Sequence, residues 1–168
     1  MPFTPFHFGP GLAIKGLIPN QFSFSMFALA NVAMDLEPLY RMWRIEMPLH
    51  GFSHTLSGAA LITVGSALLG RFAIKRTWRL YERWSAEAGE PFEIAWLQAW
   101  MGALLGTGSH LLLDAVMHTD MHPFAPMTDA NPLLMTEWML HLHLACLVAG
   151  MFGMVLILAR AAFQHKHA

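Results

Sequence analysis

Three stretches of this sequence are apolar, contain few charged residues and are about as long as a lipid bilayer is thick: residues 53–70, 95–117 and 133–161. A helix needs roughly 20 apolar residues to cross the hydrocarbon core of a membrane. The composition agrees, because 55% of the 168 residues are hydrophobic and only 12% are charged, whereas a soluble domain has roughly 25% charged residues. We therefore predict an all-α, polytopic membrane helical bundle with three long spans, forming a single domain over residues 1–168.

The N-terminal segment allows two topologies. Two short apolar pieces, 11–18 and 21–34, flank a Pro-Asn pair that indicates a turn. Neither piece reaches the length of a span, but together they could form a re-entrant hairpin that puts His7 and Asp35 on one side. The alternative is a fourth, tilted span over about residues 22–39, with the N-terminus on the opposite face. We favour the hairpin.

The distribution of basic residues predicts the orientation in the membrane. The connection at 71–93 contains several Lys and Arg residues interleaved with Trp and Tyr, and the segment after Arg160 is basic as well. Cytoplasmic connections carry an excess of Lys and Arg, so we expect 71–93 to be a cytoplasmic loop and the C-terminus to be cytoplasmic in a bacterial inner membrane. The connections at 36–52 and 118–132 then face the periplasm, although the first of them contains two arginines.

A His-x-x-x-Asp-x-x-x-His motif places His110, Asp114 and His118 on one stripe of a predicted helix. The other faces of that helix are apolar, so the polar stripe needs a partner. Imidazole and carboxylate groups suit zinc, manganese or iron; the alternative is a row of core polar groups hydrogen-bonded to neighbouring helices. His50 and His54 have the same spacing of four and could hold a metal together, although such pairs are common by chance.

The predicted orientation brings nearly every ionisable group near the membrane to its periplasmic half. Such groups are costly in lipid and normally mark a functional site. Their convergence favours a metal site over scattered core polar groups. The groups concerned are His7, Asp35, His50, His54, His110, Asp114, His118, Asp120, His122, Glu137, His141 and His143.

The number of candidate ligands suggests two metal ions, or one ion with acid–base groups beside it. Two ions roughly 3.5–4 Å apart would clamp a phosphoryl or carbonyl oxygen and lower the pKa of a bound water. Glu37 or Asp120 could act as general base. Arg41 and Arg44 could hold a phosphate, with His122 as a further substrate contact, or the arginines could be surface charges on a solvated turn. We predict hydrolysis of a phosphoester or ester in a lipid-like substrate, with membrane lipids as partners.

Four segments carry a resemblance to a known family: MPFTPFHFGPGLAIK, ANVAMDLEPLYRM, HGFSHTLSGA and SHLLLDAVMHTDMHPFAP. They resemble the bacterial inner-membrane predicted metal-dependent hydrolases, whose members include LexA-regulated membrane proteins. This resemblance implies a small helical membrane protein with a divalent-metal site. The chain is more distantly similar to zinc-dependent phospholipase C, which combines an N-terminal ligand, Asp, His and an H-x-x-x-D helix. Carried over residue by residue, the implied ligands are His7, Asp35, His54, His110, Asp114 and His118.

One part of the phospholipase pattern is changed, and two other functions stay open. The pattern continues with H-x-x-x-E, but here the order is reversed from Glu137 to His141, which puts a third metal in doubt. A b-type cytochrome would use His54, His110, His141 or His143 as axial ligands, but Asp114 fits poorly beside haem. A metal-ion transporter would need ionisable groups along a whole path, whereas here they stop halfway. The net charge of −1 gives no indication of nucleic-acid binding.

Overall fold

The computed structural model describes residues 5–85 and 93–167, which form helices and no β-strand. The predicted all-α class is confirmed. Short 3-10 turns precede three of the helices, and a π-helical turn at Ser66–Gly70 joins α3 to α4 without a break. The helices are α1 (Phe8–Leu17), α2 (Phe24–Arg44), α3 (Leu56–Gly65), α4 (Arg71–Ser85), α5 (Trp96–Met117) and α6 (Met139–His167).

Two helices of the described residues, rather than the predicted three or four, are long and apolar enough to cross a membrane. They are Leu56–Trp84, which runs from α3 into α4, and Thr136–Lys166, which contains α6. With 22 residues, α5 has sufficient length, but His110 and Asp114 make it more polar. The 10 residues of α1 extend about 15 Å, which is half of the hydrocarbon core.

The first half of the predicted 71–93 loop is helical. Residues 71–85 form α4, an amphipathic helix that continues the axis of α3 through the π-helical turn. The residues at 86–92 lie outside the described part of the chain. The described part of the predicted connection, residues 71–85, is therefore a helical extension of a candidate span.

The second helix, α2, continues beyond the residue that was predicted to end it. Asp35 lies in the middle of α2, which ends only at Arg44, where Ile45 adopts a left-handed conformation with φ 58°. Pro38 lies inside the helix and cannot donate a hydrogen bond to the Met34 carbonyl oxygen. The prediction was wrong because it followed the apolar pattern, which ends at Asp35, whereas the helix continues through Pro38 with a compensating hydrogen bond from Ser53.

The start of α3 also differs from the prediction. Thr55 is the N-cap, and its hydroxyl accepts a hydrogen bond from the Gly58 N–H at 3.0 Å. The helix therefore begins at Leu56, and His50 and His54 precede it. The predicted helical histidine pair is wrong: the two rings meet edge to face across a turn, with centroids 4.8 Å apart.

At the other end of the cluster, α5 ends at Met117, where the predicted 95–117 segment also ends. His118 is the C-cap and adopts an extended conformation with φ −111° and ψ 128°. Its N–H still donates to the Asp114 carbonyl oxygen at 2.9 Å. His110 and Asp114 thus lie on the predicted helical stripe, but the prediction that His118 shares this stripe is wrong because the helix has already ended.

Glycines allow α5 to pack closely along α2 in the same direction. A Cβ atom on Gly102 would lie 2.5 Å from the Ser23 carbonyl oxygen, and one on Gly106 would lie 2.7 Å from the Phe27 carbonyl oxygen. Larger residues would hold the two backbones apart. This close approach brings the next turn of α5, with His110, against α2.

A second glycine contact fixes α1 against α6. A Cβ atom on Gly9 would lie 2.0 Å from the Cys146 carbonyl oxygen, and one on Gly153 would lie 2.2 Å from the Leu12 carbonyl carbon. The two helices therefore run side by side in the same direction. Because His7 directly precedes α1, this packing helps to set its position at one end of the bundle.

Candidate metal centre

A cluster of histidine and aspartate side chains lies where the starts of α1 and α3 meet the middle of α2 and the last turns of α5. The Asp114 carboxylate is at its centre, and Asp35 Oδ1 lies 3.5 Å from His110 Nε2. The histidines whose Nε2 atoms lie 3.1–3.8 Å from an Asp114 oxygen are His7, His50, His54, His110 and His118.

The cluster also bears on the N-terminal topology. His7 Nε2 lies 3.1 Å from Asp114 Oδ1, and Asp35 lies in the same cluster on the His110 side. The two residues are thus at one end of the bundle, as the hairpin requires. A single crossing between them would separate them by the thickness of the membrane.

The centre of the cluster is removed from solvent. His110 is 0% exposed, His54 1% and Asp114 2%, whereas His118 is half-buried at the edge. A carboxylate at this depth requires a compensating positive charge or several hydrogen bonds. One of its atoms, Asp114 Oδ1, accepts no hydrogen bond from the described residues.

The ring of His110 is held so that its Nε2 faces the cluster. Its Nδ1 lies 3.0 Å from Asn31 Oδ1. The amide orientation of Asn31 is fixed because its Nδ2 donates to the Phe27 carbonyl oxygen at 2.9 Å. An amide oxygen only accepts hydrogen bonds, so Nδ1 carries a hydrogen, and Nε2 is the ring atom that points at the carboxylates and can bind either a proton or a metal ion.

The ring of His50 is held in the same way by Asp120. Its Nδ1 donates to Asp120 Oδ1 at 2.8 Å, and Oδ2 accepts the backbone N–H groups of Leu49 and His50 at 2.9 and 3.2 Å. Burial favours a higher pKa for Asp120, but the hydrogen bonds from His50 and Leu49 outweigh it and hold the pKa of this carboxyl below its usual value. Both oxygens are engaged, so the structure gives Asp120 an orienting role, and its predicted role as general base stays a prediction.

A serine fixes the ring of His54. The hydroxyl of Ser53 donates its single hydrogen to the Met34 carbonyl oxygen at 3.1 Å, so it can only accept from His54 Nδ1, 2.9 Å away. The lone pair of His54 Nε2 therefore faces the cluster as well. In each of these three rings, Nδ1 is bound to an acceptor outside the cluster, the arrangement that metal-ligating histidines almost always show.

The Nε2 atoms of His54 and His110 face each other. They are 3.3 Å apart, and each lies within 3.3 Å of Asp114 Oδ2. Contacts this short between two ring nitrogens and a carboxylate oxygen are favourable when a proton or a metal ion is shared among them. These buried groups can therefore hold a metal ion. A second group of possible ligands, formed by His50, Asp114 and His118, shares the same carboxylate.

The carboxylate of Glu37 lies outside the cluster and fastens the turn before α3 to α2. It accepts the N–H groups of Phe52 and Ser53 at 3.2 and 2.6 Å and the Arg41 Nε–H at 2.9 Å. A Cβ atom on Gly51 would lie 2.0 Å from Glu37 Oε1, so glycine is required for this contact. The structure gives Glu37 a structural role, and its predicted role as general base stays a prediction.

The predicted phosphate-binding arginines are engaged elsewhere. Arg41 pairs with Glu37 and donates to the Pro48 carbonyl oxygen at 3.2 Å. Arg44 is exposed, and its Nε lies 3.5 Å from Glu46 Oε1. Their role in substrate binding stays a prediction.

A cleft of about 390 Å³ opens beside the cluster. Its walls are mainly apolar, with Phe52 and Pro126 among them, and both His50 and His122 line it. His122 Nδ1 donates to the Asp129 carbonyl oxygen at 2.6 Å. Because His50 belongs to both the cluster and the cleft wall, the cleft lies next to the cluster.

The histidines at the start of α6 have other partners. His143 Nδ1 donates to the Met139 carbonyl oxygen at 2.7 Å, and its ring packs edge to face on Phe6. The ring of His141 packs on Trp138. These side chains were predicted in the same half of the molecule, but the described contacts place them outside the cluster.

Two residues of the site were missed from the sequence. Asn31 precedes Asp35 by one turn of α2, and Ser53 directly precedes His54. Each is a polar residue near a predicted ligand in an otherwise apolar stretch. This position is the only feature of the sequence that could have indicated its role. Their partners, His110 and Met34, are distant in the sequence.

The six ligands implied by the resemblance to known hydrolases all lie in the cluster, together with His50. The interpretation of the cluster rests on its own geometry. Comparison with family models, with curated proteins and with solved structures finds no match to this chain.

Proposed function

We propose that the chain is a membrane-embedded, metal-dependent hydrolase that acts on a phosphoester or ester of a lipid-like molecule. The observation that carries the proposal is the convergence of three possible ligand atoms: the Nε2 atoms of His54 and His110 lie 3.3 Å apart, and both lie within 3.3 Å of Asp114 Oδ2. A divalent ion that displaces the shared proton would be coordinated by all three atoms. Zinc matches imidazole and carboxylate ligands best, and manganese or iron accept the same ligands.

The arrangement around Asp114 supports two ions. Its Oδ2 lies 3.2–3.3 Å from His54 and His110, with Asp35 beside them. Its Oδ1 lies 3.1 Å from His7 and 3.6 Å from His118. The carboxylate thus lies between two groups of ligands, and His50 of the second group lies 3.8 Å from Oδ2. Sites with two metal ions side by side are common in enzymes that cleave phosphoesters.

The chemistry divides between the bound metal and the chain. A bound divalent ion supplies Lewis acidity that polarises a phosphoryl or carbonyl oxygen and activates water. The chain holds the ligand rings in place through Asn31, Ser53 and Asp120, and the apolar wall of the cleft excludes water. We propose that the substrate reaches the site through this cleft and contacts His122 there.

The exposure of α6 supports a membrane location. Only 11% of the most apolar part of Thr136–Lys166 is buried, and large side chains such as Phe152 and Val155 are more than half exposed. The core helix of a soluble protein is mostly buried, and contiguous apolar surface of this size marks contact with lipid or protein. We propose a bacterial inner-membrane protein. In this protein α5 crosses the membrane beside the two helices that are long and apolar enough to do so.

The basic face of α4 supports the predicted orientation. This helix follows the far end of α3, whereas the cluster lies at the near end, so the two features are on opposite sides of the bundle. Cationic and aromatic side chains together anchor a helix at the cytoplasmic headgroups of anionic lipids. We propose that α4 binds such lipids and that the cluster faces the periplasm. The α4 residues concerned are Lys75, Arg76, Trp78, Arg79, Tyr81, Arg83 and Trp84.

The geometry favours metal hydrolysis over the two alternatives. A porphyrin between His54 and His110 would need the space in which Asp114 lies. For a transporter, a path would have to continue beyond the cluster, but Ala30, Ala67 and Ala103 form a tightly packed core there.

The test combines metal analysis with an activity screen on protein purified without a histidine tag. We expect about one or two equivalents of zinc, manganese or iron per chain, and hydrolysis of a lipid phosphoester or ester that stops on chelation and returns with the metal. Folded protein without metal would overturn the metal site. Metal-loaded protein that cleaves no member of a panel of lipid phosphoesters and esters would overturn the hydrolase assignment.

A further inference from the structure

We infer that Pro38 and Ser53 form a positioning device that keeps the ring hydrogen of His54 on Nδ1, so that Nε2 can bind the metal. The inference rests on the metal site proposed above. The role of the two residues follows from the hydrogen-bond partners of one carbonyl group, that of Met34.

The first step is the carbonyl group that Pro38 leaves without a helical donor. In a regular helix, the N–H of residue 38 would donate to the carbonyl oxygen of Met34. Proline has no N–H, and its ring also pushes against that carbonyl group. Pro38 is fully buried inside α2, so water does not replace the missing donor.

The second step is the hydroxyl group that takes the place of this donor. Ser53 Oγ donates to the Met34 carbonyl oxygen at 3.1 Å. The serine is held there because its own N–H donates at 2.6 Å to Oε2 of Glu37, the residue that precedes Pro38. With its hydrogen used in this way, the hydroxyl presents only lone pairs to His54 Nδ1, 2.9 Å away.

The third step is a comparison with the other two oriented rings. His110 Nδ1 faces an amide oxygen and His50 Nδ1 faces a carboxylate, and both of these groups only accept hydrogen bonds. A serine hydroxyl can accept or donate. Of the three rings, only His54 therefore needs a further contact. This contact decides whether the Ser53 hydroxyl accepts from His54 Nδ1 or donates to it.

The consequence of losing Pro38 can be derived from the same contacts. If residue 38 had an N–H, the Met34 carbonyl oxygen would already accept a helical hydrogen bond, and it would no longer depend on the Ser53 hydroxyl as its donor. The hydroxyl could then donate to His54 Nδ1, which moves the ring hydrogen to Nε2. A protonated Nε2 cannot bind a metal and would instead donate to Asp114.

The experiment measures zinc affinity and stability of the full chain in detergent. Competition with a chelator gives the zinc affinity, and thermal unfolding of the metal-free protein gives stability. We expect Ser53→Ala to bind zinc roughly 10–100-fold more weakly, the range found when the partner of a ligand is removed. Ser66→Ala is the matched control, because Ser66 is also 7% exposed and lies in the π-helical turn away from the cluster.

The Pro38→Ala variant separates positioning from a merely structural role. It restores a helical hydrogen bond, so we expect the metal-free protein to be at least as stable as the wild type, while zinc binding weakens by about tenfold or more. In the Ser53→Ala background, Pro38→Ala should have no further effect on affinity. Nitrogen-15 NMR of the metal-free Pro38→Ala protein should show His54 with its hydrogen on Nε2.

Wild-type zinc affinity in folded Ser53→Ala would overturn the inference, as would wild-type affinity in folded Pro38→Ala. If Pro38→Ala does not fold, Ser53→Thr decides: it keeps the hydroxyl and should keep zinc affinity, and a loss equal to that of Ser53→Ala contradicts the inference. Wild-type protein that binds no zinc, manganese or iron would instead overturn the metal site itself, so the two failures are distinguishable.

Discussion

At the scale of single residues, Asp114 holds the cluster together. Its two oxygens face different histidines, so one carboxylate organises both ligand groups. If His110 and Asp114 are metal ligands, they act through the same ion and their losses are not independent. If they are core polar groups, each loss leaves a buried partner unsatisfied.

Replacing His110 and Asp114 by alanine, singly and together, distinguishes these cases. We expect each single variant to bind metal at least roughly 10–100-fold more weakly, which is the loss caused by removing only the hydrogen-bond partner of a ligand. The double variant should bind metal little more weakly than either single variant. Metal content and affinity are the measurements, and exposed His165→Ala is the control. A double variant that is more stable than both single variants, with metal content unchanged throughout, would support a purely structural cluster.

The two roles considered for Asp120 predict different results for Asp120→Asn. As the group that orients His50, its loss should weaken binding of one metal equivalent by roughly 10–100-fold. As a general base, its loss should abolish hydrolysis while both metals stay bound. Calorimetric titration with zinc, read beside the hydrolysis rate, decides between them. Glu93→Gln serves as the control, because Glu93 is exposed and pairs with Lys75 of α4.

At the scale of helices, the close packing of α2 and α5 sets the positions of the ligands. The glycines of α5 face the α2 backbone just before the turn that carries His110. Any residue that separates the two helices would move His110 away from Asn31 and Asp35.

We expect Gly106→Ala to destabilise the protein by about 1–3 kcal/mol, the usual effect of an overpacked contact. Its Cβ atom would lie 2.7 Å from the Phe27 carbonyl oxygen and 3.2 Å from Asn31 Nδ2, so metal affinity should fall as well. Gly108→Ala is the matched control, because nothing lies within 4 Å of its Cβ position. Equal stability of the two variants in chemical unfolding would show that α5 does not approach α2 this closely.

Local features of the sequence were sufficient to predict α3, α6 and the spacing of ligands along α5. Apolar composition and a spacing of four residues are both properties of a single helix, so they can be read from a short stretch of sequence. They were not sufficient for the course of α2 through Pro38. The donor that compensates for this proline, Ser53, comes from outside the helix. The same holds for Asp120, whose role depends on His50, 70 positions earlier in the chain.

At the scale of the whole molecule, the cluster and the basic helix α4 lie at opposite ends of the bundle. The cluster is at the start of α3 and the end of α5, and α4 follows the other end of α3. In a membrane, this separation puts the cluster and α4 on different faces. The positive charge of α4 then predicts that the cluster is periplasmic.

Cysteine labelling in intact cells tests this orientation. In a background where Cys146 is replaced by alanine, an impermeant thiol reagent should label Thr128→Cys, which lies in the exposed loop near the cleft. Thr77→Cys, on α4, should be labelled only after the membrane is permeabilised. The reverse pattern would put the cluster on the cytoplasmic side.

X-ray absorption spectroscopy of the bound metal tests the central claim most directly, because it shows which atoms surround the ion. For zinc, we expect a shell of nitrogen and oxygen atoms at about 2.0–2.2 Å, with the multiple scattering of several imidazole rings and no sulfur. A shell of sulfur atoms, a shell of oxygen atoms without imidazole, or folded protein that contains no metal would contradict the account.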